Sequence, residues 1–275
     1  MLNLKPDMKF AYYLKDSRLE SDPRVLGLLS ELGAAGFDVY PLLAASGVEP
    51  GTQMLLSFGG DGTFLSAAAL SLEAGLPVLG VNFGRLGFLS ENKPEDVVRA
   101  LTCKDYSIEK RGMVRVDGLC GGDGPQLALN EICVLRKGAA MLGVDVEIDS
   151  LPLPTYWADG LVVATSSGST AYSLSAGGPI LSPATPAFVA TVVCPHTLAA
   201  RPLVLPAESV VTVRVARSEA PVALSADGVL CARLRPGDTF TATTAALKVR
   251  LLVLPDADPF APLCMKLGWR GTVLP

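Results

Sequence analysis

Apolar and polar positions change their rhythm once along this chain. Over the first hundred residues, short apolar runs at 9–14, 37–42, 54–58 and 77–81 read as strands. Helical periods at 23–33, 63–74 and 94–101 separate them. Strands divided by helices of that length predict a parallel sheet with crossover connections. From about Tyr106 strand signals dominate, at 113–116, 127–135, 142–148, 161–164, 188–193, 210–215, 238–244 and 247–254. Val211, Val213 and Val215 alternate with Thr212 and Arg214, the period of a half-solvated strand. Proline and glycine punctuate the runs at Gly121-Gly122, Pro152, Pro154, Pro202, Pro206 and Pro236-Gly237. The fold class expected is an α/β N-terminal domain with a parallel sheet over 1–102, followed by a C-terminal all-β, sandwich-like domain over 103–254.

Composition narrows the function classes. Of the 275 residues, 49% are hydrophobic and 18% charged, which excludes a disordered chain. Mean hydropathy is +0.40, yet every long apolar stretch is broken by Ser, Thr or Gly, so no membrane span is expected. That combination points to apolar surface covered by sister subunits, in a homodimer or homotetramer. A net charge of −4 with scattered Lys and Arg gives no face for nucleic acid. The charged, proline-bearing N-terminus lacks the apolar core of a signal peptide, and the six cysteines form no CxxC pair. Buried thiols in a reducing cytoplasm are the expectation. His196, the sole histidine, has no second histidine to make a metal site and reads as structural.

The sharpest chemical feature is Gly59-Gly60-Asp61-Gly62-Thr63, between an apolar strand and a helix. Glycines let the backbone approach a phosphate, and the free N–H groups of the helix start face the same place. Gly59, Gly60, Gly62 and Thr63 are the candidate phosphate binders. Phosphate would repel Asp61 unless Mg²⁺ or a substrate hydroxyl lies between them. Its reason for being there is turn geometry or catalysis. Neither a Walker A loop nor a GxGxxG spacing is present.

GGDGT after a strand resembles the signature shared by NAD kinases, diacylglycerol and sphingosine lipid kinases and, as GGDGS, phosphofructokinases. Three further segments are similar to NAD kinases in particular: the NFGRLGFL run at 82–89, the Asn130-Glu131 pair, and Asp159-Gly160 followed by TSSGSTAYSLSAGGP at 165–179. His196-Thr197-Leu198, Arg201-Pro202, Ser225-Ala226-Asp227-Gly228 and Lys266-Leu267-Gly268-Trp269 fall in the family's order. The resemblance runs from about residue 54 to the C-terminus.

That resemblance implies phosphorylation of the 2′-hydroxyl of the adenosine ribose of NAD by ATP, with Asp61 as catalytic base and substrate-bound Mg²⁺ as cofactor. It implies NAD contacts at Asp61, Gly62, Asn130, Glu131, Asp159, Thr170, Ala171, Tyr172, Ser173, Leu174 and Ser175. It also implies a tail, 255–275, returning to the first domain, and an active site in the crevice between the domains. The residues suit that acceptor: an amide at Asn130 for an adenine edge, a ring at Tyr172 for its face, carboxylates at Glu131 and Asp159 for hydroxyls. Taken singly they allow other readings, namely a polar pair in a half-exposed strand, a core tyrosine, and a hairpin turn at Asp227-Gly228. A lipid kinase built on the same loop and a non-catalytic nucleotide-binding module are the rival functions. Four positions depart from the family pattern: Ser166 and Ser167 where proline and threonine are usual, Trp157 where a basic residue is common, and Ser66 at a helix position that is often basic.

Overall fold

The computed structural model describes residues 8–84, 87–119, 126–255, 257–258 and 260–269. Arg85-Leu86, Cys120, Gly121-Gly122 and the first seven residues, all read in the sequence above, lie outside that set. The chain divides into two compact units, Met1–Lys110 with Val249–Pro275, and Arg111–Lys248. The first unit therefore extends eight residues past 102. It also takes back a strand, Val249–Val253, that the sequence placed in the β-rich part.

The first unit holds a sheet in the order Asp38–Pro41, Lys9–Leu14, Thr52–Phe58, Val78–Val81, Val249–Val253, Ser107–Arg111. The first five of these strands pair in parallel. Met54–Phe58 and Val78–Val81 are buried at every position, which explains why they read as unbroken apolar runs. Between the strands lie helices Pro23–Ala34, Asp61–Glu73 and Pro94–Cys103. Asp22 caps the first of these by accepting from the Arg24 N–H, with Pro23 in the opening turn. Phe10, Phe58, Leu79, Val97 and Leu101 belong to one apolar core, and the Phe58 ring stacks on Tyr12 at 5.3 Å and meets Phe83 edge-on at 5.4 Å.

In the second unit two antiparallel sheets enclose a common core. One runs Leu151–Pro152, Leu142–Ile148, Val211–Arg217, Thr239–Thr244, Val114–Asp117, Gln126–Ala128, with Tyr156–Ala158 also on Leu142–Ile148. The other runs Leu203–Pro206, Ala187–Val193, Gly160–Thr165, Glu131–Leu135, Val222–Ala226, Val229–Leu234. Val116, Val144, Val213 and Phe240 of the first meet Ile132, Val134, Leu161 and Leu224 of the second.

The expected single strand over 127–135 is two strands. Gln126–Ala128 belongs to one sheet and Glu131–Leu135 to the other, so Leu129 and Asn130 carry the chain across. Composition hides such a crossing, because both halves are apolar. No helix among the described residues is long and apolar enough to cross a membrane.

Gly160 opens a strand whose six residues are all buried, paired through Leu135 and Val193 on either side. A β-carbon there would stand 2.1 Å from the Val134 carbonyl oxygen. Gly160→Ala should thus lower stability by about 1–3 kcal/mol, measured by urea denaturation. Parental stability would show that the strands separate freely at this point.

Candidate functional site

The glycine loop follows directly from the strand Thr52–Phe58, and Asp61 is the first residue of the helix Asp61–Glu73. Gly60 precedes that helix without a side-chain cap, so its early N–H groups are not met by one. The Asp61 carboxylate does something the sequence did not disclose. Its Oδ1 accepts from the N–H groups of Leu89 and Ser90 at 2.9 and 3.1 Å, and its Oδ2 from Phe88 at 2.9 Å. The side chain thereby fixes the end of the NFGRLGFL run. Gly87 permits the approach, since a β-carbon there would lie 1.9 Å from Asp61 Oδ1. Ser90 adds a bond from its hydroxyl to the Gly59 carbonyl at 2.8 Å, which closes the two loops on each other.

A carboxylate has roughly four lone-pair directions. Both of those on Oδ1 are taken by N–H donors, while Oδ2 keeps one. Lys266, in the helix Ala261–Lys266, places its Nζ 3.9 Å from that Oδ2 and 4.3 Å from the centre of the Phe88 ring. The tail segment 260–269 so reaches Asp61 within the first unit.

In the second unit the crossing at Leu129 and Asn130 is held in the same manner. Asp227 accepts from the N–H groups of Leu129 at 2.7 Å, Asn130 at 2.8 Å and Glu131 at 3.1 Å. Asp227-Gly228 is indeed the hairpin turn that the dipeptide suggested, with φ of 46° and 80° at its two residues. It is also the anchor of the Asn130-Glu131 pair, a role its place in the motif order could have signalled. With the backbone so fixed, Asn130 Oδ1 and Glu131 Oε2 are buried without a hydrogen-bond partner among the described residues. Unmet buried acceptors of this kind are costly, and a ligand with hydroxyl or amine donors would satisfy them.

Electrostatics follow from this crowding. Burial pushes the Glu131 carboxyl up to about 7, the nearby Asp227 charge adds to the rise, and a Tyr172 N–H opposes it. Burial raises Asp227 as well, against the pull of its three N–H donors. The Cys133 thiol is pushed up to about 12, chiefly by burial, which makes it an inert core group.

The serine-rich run forms a short 3₁₀ turn, Ser167–Thr170, then one helical turn, Tyr172–Ser175. Thr170, Ala171, Tyr172 and Leu174 are partly exposed and Ser175 is exposed. Tyr172 leans on the small core of Cys133, Val162, Ala164 and Val193. Ser173 points inward: it is fully buried and its hydroxyl shares a bond with Thr191 at 3.0 Å. Asp159 holds Arg136, Nε to Oδ1 at 2.7 Å. The His196 N–H donates to the Trp157 carbonyl at 2.8 Å, an ordinary structural bond.

The chain thus combines a glycine loop bearing one acid, at the end of a parallel strand, with an antiparallel β unit that carries buried, unmet acceptors. Residues 43–103 match the ATP-NAD kinase N-terminal domain and residues 129–254 the ATP-NAD kinase C-terminal domain. The NAD kinase of Moorella thermoacetica is 46% identical over 226 residues, covering 79% of this chain and 72% of that protein. That of Geobacter sulfurreducens is 36% identical over 271 residues, covering 90% and 95%. Among solved structures, yeast NADH kinase complexed with NADH has a TM-score of 0.82 at 24% identity, over 98% of this chain and 89% of that one. An NAD kinase from Archaeoglobus fulgidus in complex with ATP has a TM-score of 0.74 at 24% identity, over 96% and 100%; both are likenesses of fold. The chain belongs to the NAD kinase family.

Glu131 makes stability depend on pH in a definite direction. An unfolded chain ionises it near 4.5 and the folded one at about 7, so stability falls as pH rises between those values, and the full cost persists above them. Glu131→Gln keeps an acceptor for the Tyr172 N–H and removes the charge. By urea denaturation it should exceed the parent by about 3 kcal/mol at pH 8 and by less than about 1 kcal/mol at pH 5. An equal difference at both pH values would show that the charge is not what burial penalises.

Proposed function

We propose that this chain transfers the γ-phosphoryl group of ATP to the 2′-hydroxyl of the adenosine ribose of NAD, giving NADP. The observation that carries the reading is the free position on Asp61 Oδ2, on a carboxylate otherwise fixed by three N–H donors beside a glycine loop. Oδ2 takes the proton of the attacking hydroxyl. Its orientation is set before substrate arrives, so little reorganisation remains for the reaction.

Gly60 and Gly62 hold the donor phosphates through backbone N–H groups at the start of the helix. Thr63 adds its hydroxyl, while the Gly59 and Thr63 N–H groups shape the loop by donating to the Val81 and Gly60 carbonyls, both at 3.0 Å. The loop offers one carboxylate and backbone donors, so Mg²⁺ fits as an ion carried by the phosphate oxygens, where it offsets charge on the transferring group. Asn130 and Glu131 bind the adenosine through the acceptors left unmet in the fold. Asp159, Thr170, Ala171, Tyr172, Leu174 and Ser175 complete the NAD contacts, and Ser173 supports the turn from beneath through Thr191. We place the enzyme in the cytoplasm.

Incubation with Mg-ATP and NAD should yield NADP, and diacylglycerol should yield no phosphorylated product. Asp61→Asn should cut kcat by roughly 10² to 10⁴ while NAD still binds. Its melting temperature should also fall, because the amide turns an N–H toward the Phe88 donor, at a cost of about 1–3 kcal/mol. A variant that binds NAD and keeps parental turnover would refute the assignment of the base.

Assembly is the second part of the proposal. Leu198 is 93% exposed, Leu43 86%, Leu151 71% and Val229 69%, more large apolar surface than a lone molecule gains from. Light scattering behind a sizing column should report a homodimer or homotetramer. A fully active monomer would overturn this.

A further inference from the structure

We propose that Lys15 supplies the positive charge that binds the donor's triphosphate, in place of a basic residue on the helix Asp61–Glu73. This rests on the kinase reading above and adds a donor-binding residue to it.

Register puts Lys15 at the loop. The strands Lys9–Leu14 and Thr52–Phe58 are parallel neighbours with Leu14 opposite Phe58, so the next residues, Lys15 and Gly59, leave the sheet side by side. Outside the carboxyl ends of parallel strands is where such folds bind their ligands. Lys15, Asp16 and Ser17 form one wall of an open hollow of about 530 Å³, and Gly60, Gly62 and Thr63 form the other.

The ammonium is held over that hollow. Lys15 Nζ donates to Ser66 Oγ at 3.1 Å, and the Ser66 hydroxyl in turn donates to the Gly62 carbonyl at 3.3 Å. Ser66 lies in the second turn of the same helix, at a position where a basic side chain would face the loop directly. Here the helix contributes a hydroxyl, and the cation reaches it from the neighbouring strand.

The charge balance leaves Lys15 uncompensated. Asp16, the other charged group of the hollow, is engaged by Arg18 through Nε at 2.9 Å and Nη2 at 2.7 Å, a pairing that holds its carboxyl below the usual range. Asp61 has Lys266 as its nearby cation, with Nζ 3.9 Å from Oδ2, and among the described residues no acid forms an ion pair with Lys15. The partner of Lys15 is a neutral hydroxyl, which a phosphate oxygen displaces because it adds charge–charge attraction to the hydrogen bond.

The test is steady-state kinetics of NADP formation with Lys15→Met, Lys15→Arg and the double variant Lys15→Met with Ser66→Arg. Lys15→Met should raise the KM for ATP about tenfold or more and leave the KM for NAD within about twofold. The KM for ATP should also lose much of its dependence on salt. Lys15→Arg should stay near the parent. Adding Ser66→Arg to Lys15→Met should restore most of the ATP affinity, which a purely structural role for Lys15 does not predict.

An unchanged KM for ATP in Lys15→Met overturns the proposal. So does a rise shared equally by both substrates, or a double variant as weak as the single one. Should Lys15→Met fail to fold, calorimetric binding of ATP to Lys15→Gln answers the same question, with parental affinity as the refuting result. Failure of the parent to form NADP would instead strike the kinase reading itself and is seen before any variant is made.

Discussion

Three consecutive backbone N–H groups in a loop or at the start of a strand must find acceptors, or the segment that carries them will not hold its shape. In each unit of this protein one aspartate meets that need. Asp61 takes the donors of Phe88, Leu89 and Ser90, and Asp227 takes those of Leu129, Asn130 and Glu131. Both aspartates precede a glycine, and both fix a segment distant in sequence. A carboxylate suits the task because it presents acceptors only; an amide of the same size would set a donor against a donor.

The two clamps leave different residues of chemistry. At Asp61 one lone pair on Oδ2 is not met by a hydrogen bond among the described residues, with Lys266 nearby, so in the proposed reaction the clamp itself is the reactive group. At Asp227 the carboxylate is spent on the backbone, and the reactive surface is what it positions, the unmet acceptors of Asn130 and Glu131. The second arrangement is expensive. Two carboxyls share a buried region, and the raised Glu131 and Asp227 register that cost. Substrate donors that satisfy Asn130 and Glu131 would recover part of it on binding, which turns folding strain into selectivity for a ligand with donors in those places.

Much of this was legible in the sequence, for identifiable reasons. Fully buried parallel strands read as apolar runs, and half-solvated ones such as Val211–Arg217 as alternation, so the change of architecture near residue 103 was visible. Short, exposed or mixed strands were not: Ser107–Arg111, Leu203–Pro206 and Val229–Leu234 have few buried positions to mark them. The break at Leu129-Asn130 was hidden because the strand residues on either side of it are mostly apolar. Asp61 and Asn130 stood out as candidates because motif and chemistry coincided there. Lys15, Lys266 and the clamping role of Asp227 escaped, since each depends on a contact between residues far apart in the chain.

Sheet order in the first unit carries a consequence for how the protein is made. Val249–Val253 lies between Val78–Val81 and Ser107–Arg111, so the last strand synthesised is an interior one. Until the ribosome has delivered it, Val78–Val81 presents an open apolar edge of the kind that recruits other chains. The β-rich unit, contiguous from Arg111 to Lys248, has no such wait and can close while its predecessor is still unfinished. The middle of a nascent chain can thus mature before its flanks, and a premature stop ahead of Val249 would leave Ser107–Arg111 without the strand that joins it to the parallel sheet.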